Sequence, residues 1–159
     1  MSAQAAARWR EANPDGTVTH RDLAADPLPH LGPAGVKARA VPPEQHNAEQ
    51  AASWALSVVG GLSMDAATGE PLLDVPEMIG LEARGGGYGE GTPREGWDHA
   101  QQWLPQGLGL TGLEPRFITA ELTLADVQPA MADLRELAAA SLKAAEEEVD
   151  ALWTASAVA

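Results

Sequence analysis

The clearest alternation of polar and apolar residues in the chain runs from Arg116 to Leu124. One side of this segment carries Phe117, Thr119, Glu121 and Thr123, and the other carries Ile118, Ala120, Leu122 and Leu124. A period of two is typical of a strand with one buried face. We therefore predict a β-strand over these nine residues.

A helical pattern follows directly after this strand. Asp126 is expected to cap a helix, and Pro129 then falls in the first turn, where a missing N–H does little harm. The apolar stripe consists of Met131, Leu134, Leu137, Ala138, Ser141, Leu142, Ala145, Val149, Leu152 and Trp153. It predicts a long amphipathic C-terminal helix, a rod on the order of 40 Å. Such a rod is longer than a small domain needs.

The first part of the chain predicts a helix over residues 3–12, ended by a type I turn at Asn13-Pro14-Asp15-Gly16. Residues 17–43 contain five prolines, which limits regular structure to short pieces such as Val36 to Val41. We predict an extended Pro/Gly-rich N-terminal arm that lies on the chain's own domain or on a neighbouring subunit.

The pattern in the middle of the chain does not distinguish helix from strand everywhere. Glu44 to Val59 predicts a second helix, although a strand from Ser53 to Ser63 is an open alternative. Asp65 to Gly69 predicts a tight hairpin turn, with Leu72 to Ala83 as the return strand and Pro76 at an edge or bulge. A short helix is expected near Gly96 to Leu104.

These elements predict the α+β class. We expect a small antiparallel hairpin sheet with a long C-terminal amphipathic helix, one or two shorter helices and the extended arm. Residues 1–43 would comprise the N-terminal helix and the extended arm, and residues 44–159 the α+β core that ends in the long helix, as a single domain overall.

The supply of large apolar residues is small. Only 30 of the 159 residues are Leu, Val, Ile or Phe, and the formal net charge is −13. Five tryptophans partly offset this, because each can bury a large area. A chain with few branched aliphatic residues gains little from burial, so a permanent partner would stabilise it. The composition therefore favours assembly with other chains.

Several classes of protein are made unlikely by composition. The chain has no cysteine, which rules out disulfides, a thiolate nucleophile and a cysteine zinc site. The acidic balance disfavours nucleic acid as a partner, and no run approaches the roughly 20 apolar residues of a membrane span. We expect a soluble, cytoplasmic protein, or one incorporated in a particle assembled there, with no cofactor and no membrane partner.

The segment GGGYGEG, residues 85–91, invites comparison with a phosphate-binding loop. It lacks a following Gly-Lys-Ser/Thr and the G-x-G-x-x-G spacing, and Glu90 would repel a phosphate. We therefore interpret it as a flexible surface loop.

Asp98 and His99 are the candidate catalytic residues, with Glu95 nearby, as an acid/base pair. Adjacent residues of a helix point about 100° apart, so a capping or surface role for Asp98 is the stronger interpretation. His46 and Glu49, with Glu44 nearby, lie one turn apart as in carboxylate-bridged di-metal bundles, which need that element twice, and a looser cluster of four residues offers oxygen and nitrogen ligands. That cluster consists of His20, Asp22, Asp26 and His30. Neither has a recognised ligand spacing, and no metal site is predicted.

The resulting hypothesis is a non-catalytic structural or assembly subunit that packs its arm and long helix against copies of itself or a protein partner. Accessory proteins of virus-like particles are an analogy for this role. The predicted partner interface consists of Trp9, Met131, Leu134, Leu142, Val149, Leu152 and Trp153. Two alternatives stay open: a small metal-dependent or acid/base enzyme with its site near Asp98 and His99, and an acidic regulatory protein that binds a basic partner.

Overall fold

The computed structural model describes residues 1–27, 30, 32–54, 65, 67–72 and 77–154. The α-helices are α1 (Ser2–Ala12), α2 (Pro33–Ala38), α3 (Ala48–Trp54), α4 (Ala100–Gly109) and α5 (Arg135–Ala151), and the strands are β1 (Met78–Ala83) and β2 (Pro115–Ala120). Short 3-10 helices span Pro43–Gln45 and Pro129–Leu134. The chain divides into two compact units, Met1–Val18 with Asp74–Ala159, and Thr19–Leu73. The predicted division at residue 43 stays a prediction.

The sheet of the larger unit is a parallel pair. β1 and β2 run side by side in a register that begins with Met78 opposite Pro115 and ends with Ala83 opposite Ala120. The α+β class is confirmed, but the antiparallel hairpin is wrong. Parallel strands need a long crossover connection, and here that connection contains α4. The alternation along a strand shows which side is buried but does not show the direction of its neighbour.

The core of the larger unit lies between one face of this sheet and α5. Its buried side chains are Ile118, Ala120, Ala145 and Val149, and Met1, Ala5, Ile79, Leu81 and Leu152 pack against them while partly buried. The predicted strand is confirmed from Arg116 to Ala120, with Ile118 and Ala120 on the buried side as the alternation requires. The strand ends there and not at Leu124, because Leu122 adopts a positive φ of 61°.

The long C-terminal helix is confirmed, but it is shorter than its apolar stripe predicts. α5 has 17 residues, about 25 Å at 1.5 Å per residue, and it begins at Arg135 after a 3-10 segment that starts at Pro129. The predicted 40 Å rod and its cap at Asp126 are therefore wrong. Leu134, with φ −97° and ψ 1°, separates the two helical segments. A 3-10 turn and an α-helical turn place apolar residues at similar spacings, so the stripe did not distinguish them.

The N-terminal segment of the larger unit follows the prediction closely. α1 begins at Ser2 and ends at Ala12, and the Gly16 N–H then donates to the Asn13 carbonyl at 2.9 Å, which closes the predicted turn. The ring of Trp9 lies against Gly16, where a Cβ atom would come within 2.3 Å of the ring. Glycine is needed at that position because the indole occupies the space of a side chain.

The smaller unit contains α2 packed against α3. The predicted arm therefore includes a helix, and the described part of the second predicted helix is Ala48–Trp54. The turn at Asp65 is confirmed: its carboxylate accepts the N–H groups of Ala67 and Thr68, and Gly69 has a φ of 76°. Most of the alternative strand at 53–63, and the predicted edge position of Pro76, lie outside the described residues.

None of the helices in the described ranges is long and apolar enough to cross a membrane.

A hydrogen-bonded ion pair ties α1 to α5. Arg8 Nε donates to Asp150 Oδ1 at 2.7 Å, and Gln4 Nε2 donates to the same oxygen at 3.0 Å. The hydrogen bond from Arg8, and then that from Gln4, lower the pKa of Asp150. A lowered pKa in the folded state means that Asp150 contributes stability at neutral pH. That contribution is lost as the pH falls through the folded-state pKa.

We therefore expect Asp150→Asn to lower the thermal unfolding midpoint slightly at pH 7, because the charged acceptor of two hydrogen bonds is lost. The difference from wild type should shrink as the pH is lowered towards 3. Asp133→Asn is the matched control, since Asp133 is exposed and has no ion pair within the described ranges. A difference between Asp150→Asn and wild type that is the same at pH 7 and pH 3 would contradict this assignment.

Candidate functional site

The candidate site lies where the two parallel strands end. Carboxyl ends of parallel strands meet at the same edge of a sheet, and ligands of α/β proteins bind in the crevice outside that edge. The two segments that leave the edge are residues 84–91, after β1, and residues 121–124, after β2. The glycine-rich segment noted in the sequence is therefore the loop that begins at a ligand-binding position.

Backbone hydrogen bonds join these two segments beyond the end of the sheet. The Arg84 N–H donates to the Ala120 carbonyl at 2.8 Å, and the Thr123 N–H donates to the Arg84 carbonyl at 2.9 Å. The Leu122 N–H donates to the Gly86 carbonyl at 3.2 Å. The glycine-rich loop is therefore held against the segment after β2, and its interpretation as a flexible surface loop is replaced by an ordered one.

Glycine is required in the first part of the loop because the segment after β2 approaches it closely. A Cβ atom on Gly85 would lie 2.7 Å from Leu124 Cδ1, which is closer than real carbon contacts allow. A Cβ atom on Gly86 would lie 3.3 Å from Arg94 Nη1 and 3.5 Å from the Tyr88 hydroxyl. The loop thus presents bare backbone between a leucine and a guanidinium.

Three consecutive amide groups of this loop have no hydrogen-bond acceptor within the described part of the chain. Gly85, Gly86 and Gly87 are half-buried, yet their N–H groups donate to no acceptor among the residues that the structure describes. Backbone N–H groups in such surroundings are nearly always paired with protein, water or ligand. The loop therefore offers a row of hydrogen-bond donors at the carboxyl edge of the sheet.

A groove of about 600 Å³ runs along the loop. Its size lies within the range of small-molecule sites, roughly 300–1,000 Å³. The apolar residues of its walls are Leu122, Leu124, Met131, Leu134 and Leu137, and the glycine loop, Thr92, Pro93, Arg94, Glu121 and Gln128 complete the lining. Met131 and Leu134, which the sequence assigned to a partner interface, thus line this groove.

A second hollow of about 610 Å³ lies beside Arg84. Its lining is more polar and includes Tyr88, Trp97, Asp98 and His99. Gly85 borders both hollows, so the glycine loop separates an apolar groove from a charged one.

The guanidinium of Arg84 holds this edge together. Its Nη2 atom lies 2.7 Å from Glu82 Oε2 and 2.7 Å from Asp98 Oδ2, and its Nη1 atom lies 3.5 Å from Glu121 Oε1. The Arg84 side chain is only 14% exposed. Burial lowers its pKa, but the hydrogen bond to Glu82 and the charges of Asp98, Glu82 and Glu121 outweigh burial and raise the pKa. Arg84 is therefore a permanent cation.

The carboxylates around Arg84 have structural partners of their own. Glu121 Oε1 accepts the Tyr88 N–H at 2.9 Å, which fixes the far side of the glycine loop. Asp98 Oδ1 accepts the N–H groups of Ala100 and Gln101 at the start of α4, so the expected capping role is confirmed. The cluster thus links β1, the start of α4 and the segment after β2.

The predicted catalytic pair does not form a direct contact in the described structure. Asp98 is engaged with Arg84 and the start of α4, while His99 is exposed and its carbonyl accepts the Trp103 N–H. Both residues border the charged hollow. A catalytic role for Asp98 and His99 stays a prediction.

The residues considered for metal binding are used in other ways. His46 Nε2 lies 2.9 Å from the carbonyl oxygens of Ala38 and Val41. Asp22 accepts the N–H of Ala24, and Asp26 pairs with Arg21. The described ranges contain no group of three or more His, Asp or Glu side chains that could hold a metal ion.

The other residues of the predicted partner interface have different surroundings. Val149 is fully buried in the core, and Leu152 is partly buried against it. Leu142 is 44% exposed on α5, and Trp153 borders a hollow beside Arg8 and Asp150. An interface that uses these residues stays a prediction.

Curated proteins similar to this chain have one name in common. The chain is 38% identical to an FMN-dependent NADH:quinone oxidoreductase of Frankia casuarinae over 167 positions, which cover 81% of the chain and 78% of that protein. Proteins of the same name from Frankia alni and Streptomyces avermitilis are 33% and 34% identical, over 90% of the chain in each case and 85% and 82% of their own lengths. No protein-family model matches the chain.

The chain belongs to the FMN-dependent NADH:quinone oxidoreductase family. The hypothesis of a non-catalytic structural or assembly subunit, with its analogy to virus-like particles, is therefore wrong, because these relatives are named as enzymes. The prediction of a non-catalytic protein rests on the small supply of core residues and on the long apolar stripe. Neither feature shows whether a chain has a catalytic site.

The alignment with the Frankia casuarinae protein is longer than the chain itself. It extends over 167 positions, more than the 159 residues of the whole chain, yet it covers only 81% of the chain. The relative therefore contains residues, inside the matched region, that have no counterpart here.

The sequence contained a signal for the site that motif matching missed. The glycine-rich loop directly follows the apolar run Met78–Ala83, and a strand that leads into glycines is typical of ligand-binding edges of parallel sheets. The prediction of that run as the return strand of a hairpin hides this signal, because the end of a hairpin strand does not indicate a ligand-binding edge. Motif matching to phosphate loops tests only one kind of glycine-rich site.

Replacing Arg84 with Met should lower the free energy of unfolding by about 2–3 kcal/mol, because three partly buried carboxylates would lose their common cation. Urea unfolding at pH 7 measures this loss.

Arg116→Met is the matched control, since Arg116 forms an exposed pair with Glu148 and its removal should cost less than about 1 kcal/mol. Equal losses of unfolding free energy for the two variants at pH 7 would show that the Arg84 cluster stabilises the fold no more than an exposed ion pair does.

Proposed function

We propose that this chain is an FMN-dependent oxidoreductase that transfers electrons from NADH to a quinone, the activity stated in the names of its relatives. The support comes from its family and from the position of the glycine loop at the carboxyl edge of the parallel strands. We also propose that it acts in the cytoplasm, where NADH is available. Self-association is a further proposal, for which the exposed Leu142 on α5 is the best-placed residue.

The observation that carries this proposal is that the N–H groups of Gly85, Gly86 and Gly87 have no acceptor among the described residues. The edge of a flavin ring system carries two carbonyl oxygens and two hydrogen-free ring nitrogens that accept hydrogen bonds, together with one ring N–H that donates. Residues without side chains allow a flat ring to approach the backbone closely. The donors, the bare backbone and the adjacent apolar groove therefore fit a flavin.

FMN supplies hydride and electron-transfer chemistry when it is bound, and the protein supplies binding, orientation and electrostatics. In this chain the glycine loop would donate hydrogen bonds to the ring. The apolar walls formed by Leu122, Leu124 and Met131 would exclude water from the reacting face.

The Arg84 cluster would keep the site in shape without contacting the ring. Glu121 Oε1 is held by Arg84 and by the Tyr88 N–H, which fixes the position of this carboxylate in the groove lining beside Gly87. The loop can then present its amide groups without rearrangement on binding. A pre-organised site loses less free energy to ordering when the ligand arrives.

We expect the purified chain to bind FMN at micromolar concentrations, measured as quenching of flavin fluorescence when protein is added. Gly86→Val should weaken FMN binding about tenfold or more, because a branched side chain would stand where the ring meets the backbone. NADH oxidation in the presence of a quinone should require added FMN and should fall in the same variant.

Gly109→Val is the matched control, since a Cβ atom on Gly109 would meet nothing within 4 Å. If folded wild-type protein does not bind FMN, or if both variants bind it equally well, the proposed site is refuted.

A further inference from the structure

One cation of the apolar groove has no partner. Arg94 lines the groove and is exposed, and its guanidinium forms no ion pair or hydrogen bond with the residues that the structure describes. Its Nη1 atom lies beside the backbone of Gly86, 3.3 Å from the position a Cβ atom would take. The free guanidinium is thus next to the unpaired N–H groups of Gly86 and Gly87.

We infer that Arg94 forms an anion site at the rim of the apolar groove, beside the glycine loop, for the acidic group of a flat aromatic ligand. A guanidinium is a usual donor to phosphate, carboxylate and sulfonate oxygens. Leucine and methionine side chains in the rest of the groove provide the contact surface for a ring.

The charges around the groove indicate that Arg94 is the residue that would attract an anionic ligand. The chain has a net charge of −13, so an anionic ligand is repelled in general. Arg84 is neutralised by Glu82, Asp98 and Glu121 and borders the other hollow. Glu121, the acidic residue of the groove lining, is itself held by Arg84 and does not compete for Arg94. The positive charge of Arg94 is therefore free for a ligand.

Among the ligands of the proposed reaction, two are tested as sources of the acidic group, and the inference rests on the proposed function to that extent. One source of the acidic group is the phosphate of FMN. The other is an acidic substituent on the quinone, which would make Arg94 a specificity-determining residue for anionic quinones. Matched pairs of probes that differ in the acidic group separate these sources.

The experiment measures dissociation constants by fluorescence titration, for FMN against riboflavin and for 1,4-naphthoquinone-2-sulfonate against 2-methyl-1,4-naphthoquinone. The proteins are wild type, Arg94→Gln, Arg94→Lys and Arg10→Gln. Arg10 is the matched control because it is an exposed arginine on α1, outside the groove lining, and its removal changes the net charge equally. Circular dichroism confirms that the variants are folded.

Arg94→Gln should weaken binding of the acidic member of at least one pair about tenfold, while the neutral member binds as before, because a charge-assisted contact is lost. Arg94→Lys should recover part of the loss, and Arg10→Gln should change neither. A selective effect in the flavin pair identifies the phosphate as the source, and one in the quinone pair identifies the substrate. The wild-type preference should also decline as salt is added.

The inference is overturned if Arg94→Gln weakens acidic and neutral probes equally, if it changes no affinity, if Arg10→Gln has the same effect, or if no probe binds wild type. Its failure is distinguishable from that of the proposed function. Flavins that bind equally well to wild type and Arg94→Gln, with no selectivity in the quinone pair, remove the anion site and leave the flavin site. Selective sulfonate binding without flavin binding would support the anion site and refute the flavin site.

Discussion

The contact on which the rest of this structure depends is the ion cluster of Arg84. One partly buried guanidinium holds carboxylates from three separate places in the chain: Glu82 on β1, Asp98 before α4 and Glu121 after β2. Each carboxylate has a second structural role, and without the cation their charges would repel one another at close range. The cluster therefore fixes the relative positions of the strand ends, the start of α4 and the glycine loop. A protein with few large apolar residues needs such a polar connection more than one with a large core does.

The second constraint is the close approach of backbone and side chains around the parallel pair. Gly80 leaves space for the Phe117 ring on the neighbouring strand, and Gly85 leaves space for Leu124. In both cases the absent side chain lets a large apolar residue come close. Phe117 of β2 packs over Gly80 of β1, and Leu124, after β2, packs over Gly85 in the glycine loop. The same absence exposes the amide groups of the loop to a ligand. Packing and the availability of donors thus have one cause, which explains how a small sheet can carry a binding edge.

Local features of this fold could be predicted from sequence because neighbouring residues determine them. α1, the turn at Gly16, the Asp65 turn, the cap at Asp98 and the buried face at Ile118 each depend on a few adjacent positions. The parallel pairing could not be predicted, because alternation defines a face but not the direction of the partner strand. Nor could the partners of Arg84, which lie 2, 14 and 37 residues away along the chain. The role of the glycine loop could not be predicted from the spacing of its glycines, because that role depends on the strand before it.

The length of the match bears on how the family's chemistry could be performed by this chain. Its relative from Frankia casuarinae contains residues within the matched region that are missing here. The contacts that shape the candidate site all belong to residues 82–137 of the larger unit: the ion cluster, the backbone bonds after the strands and the groove walls. None of these contacts needs a segment that only the relative has. The glycine loop can therefore keep its geometry in the shorter chain, and a cofactor held mainly by this loop would rely on the backbone donors and on Arg94.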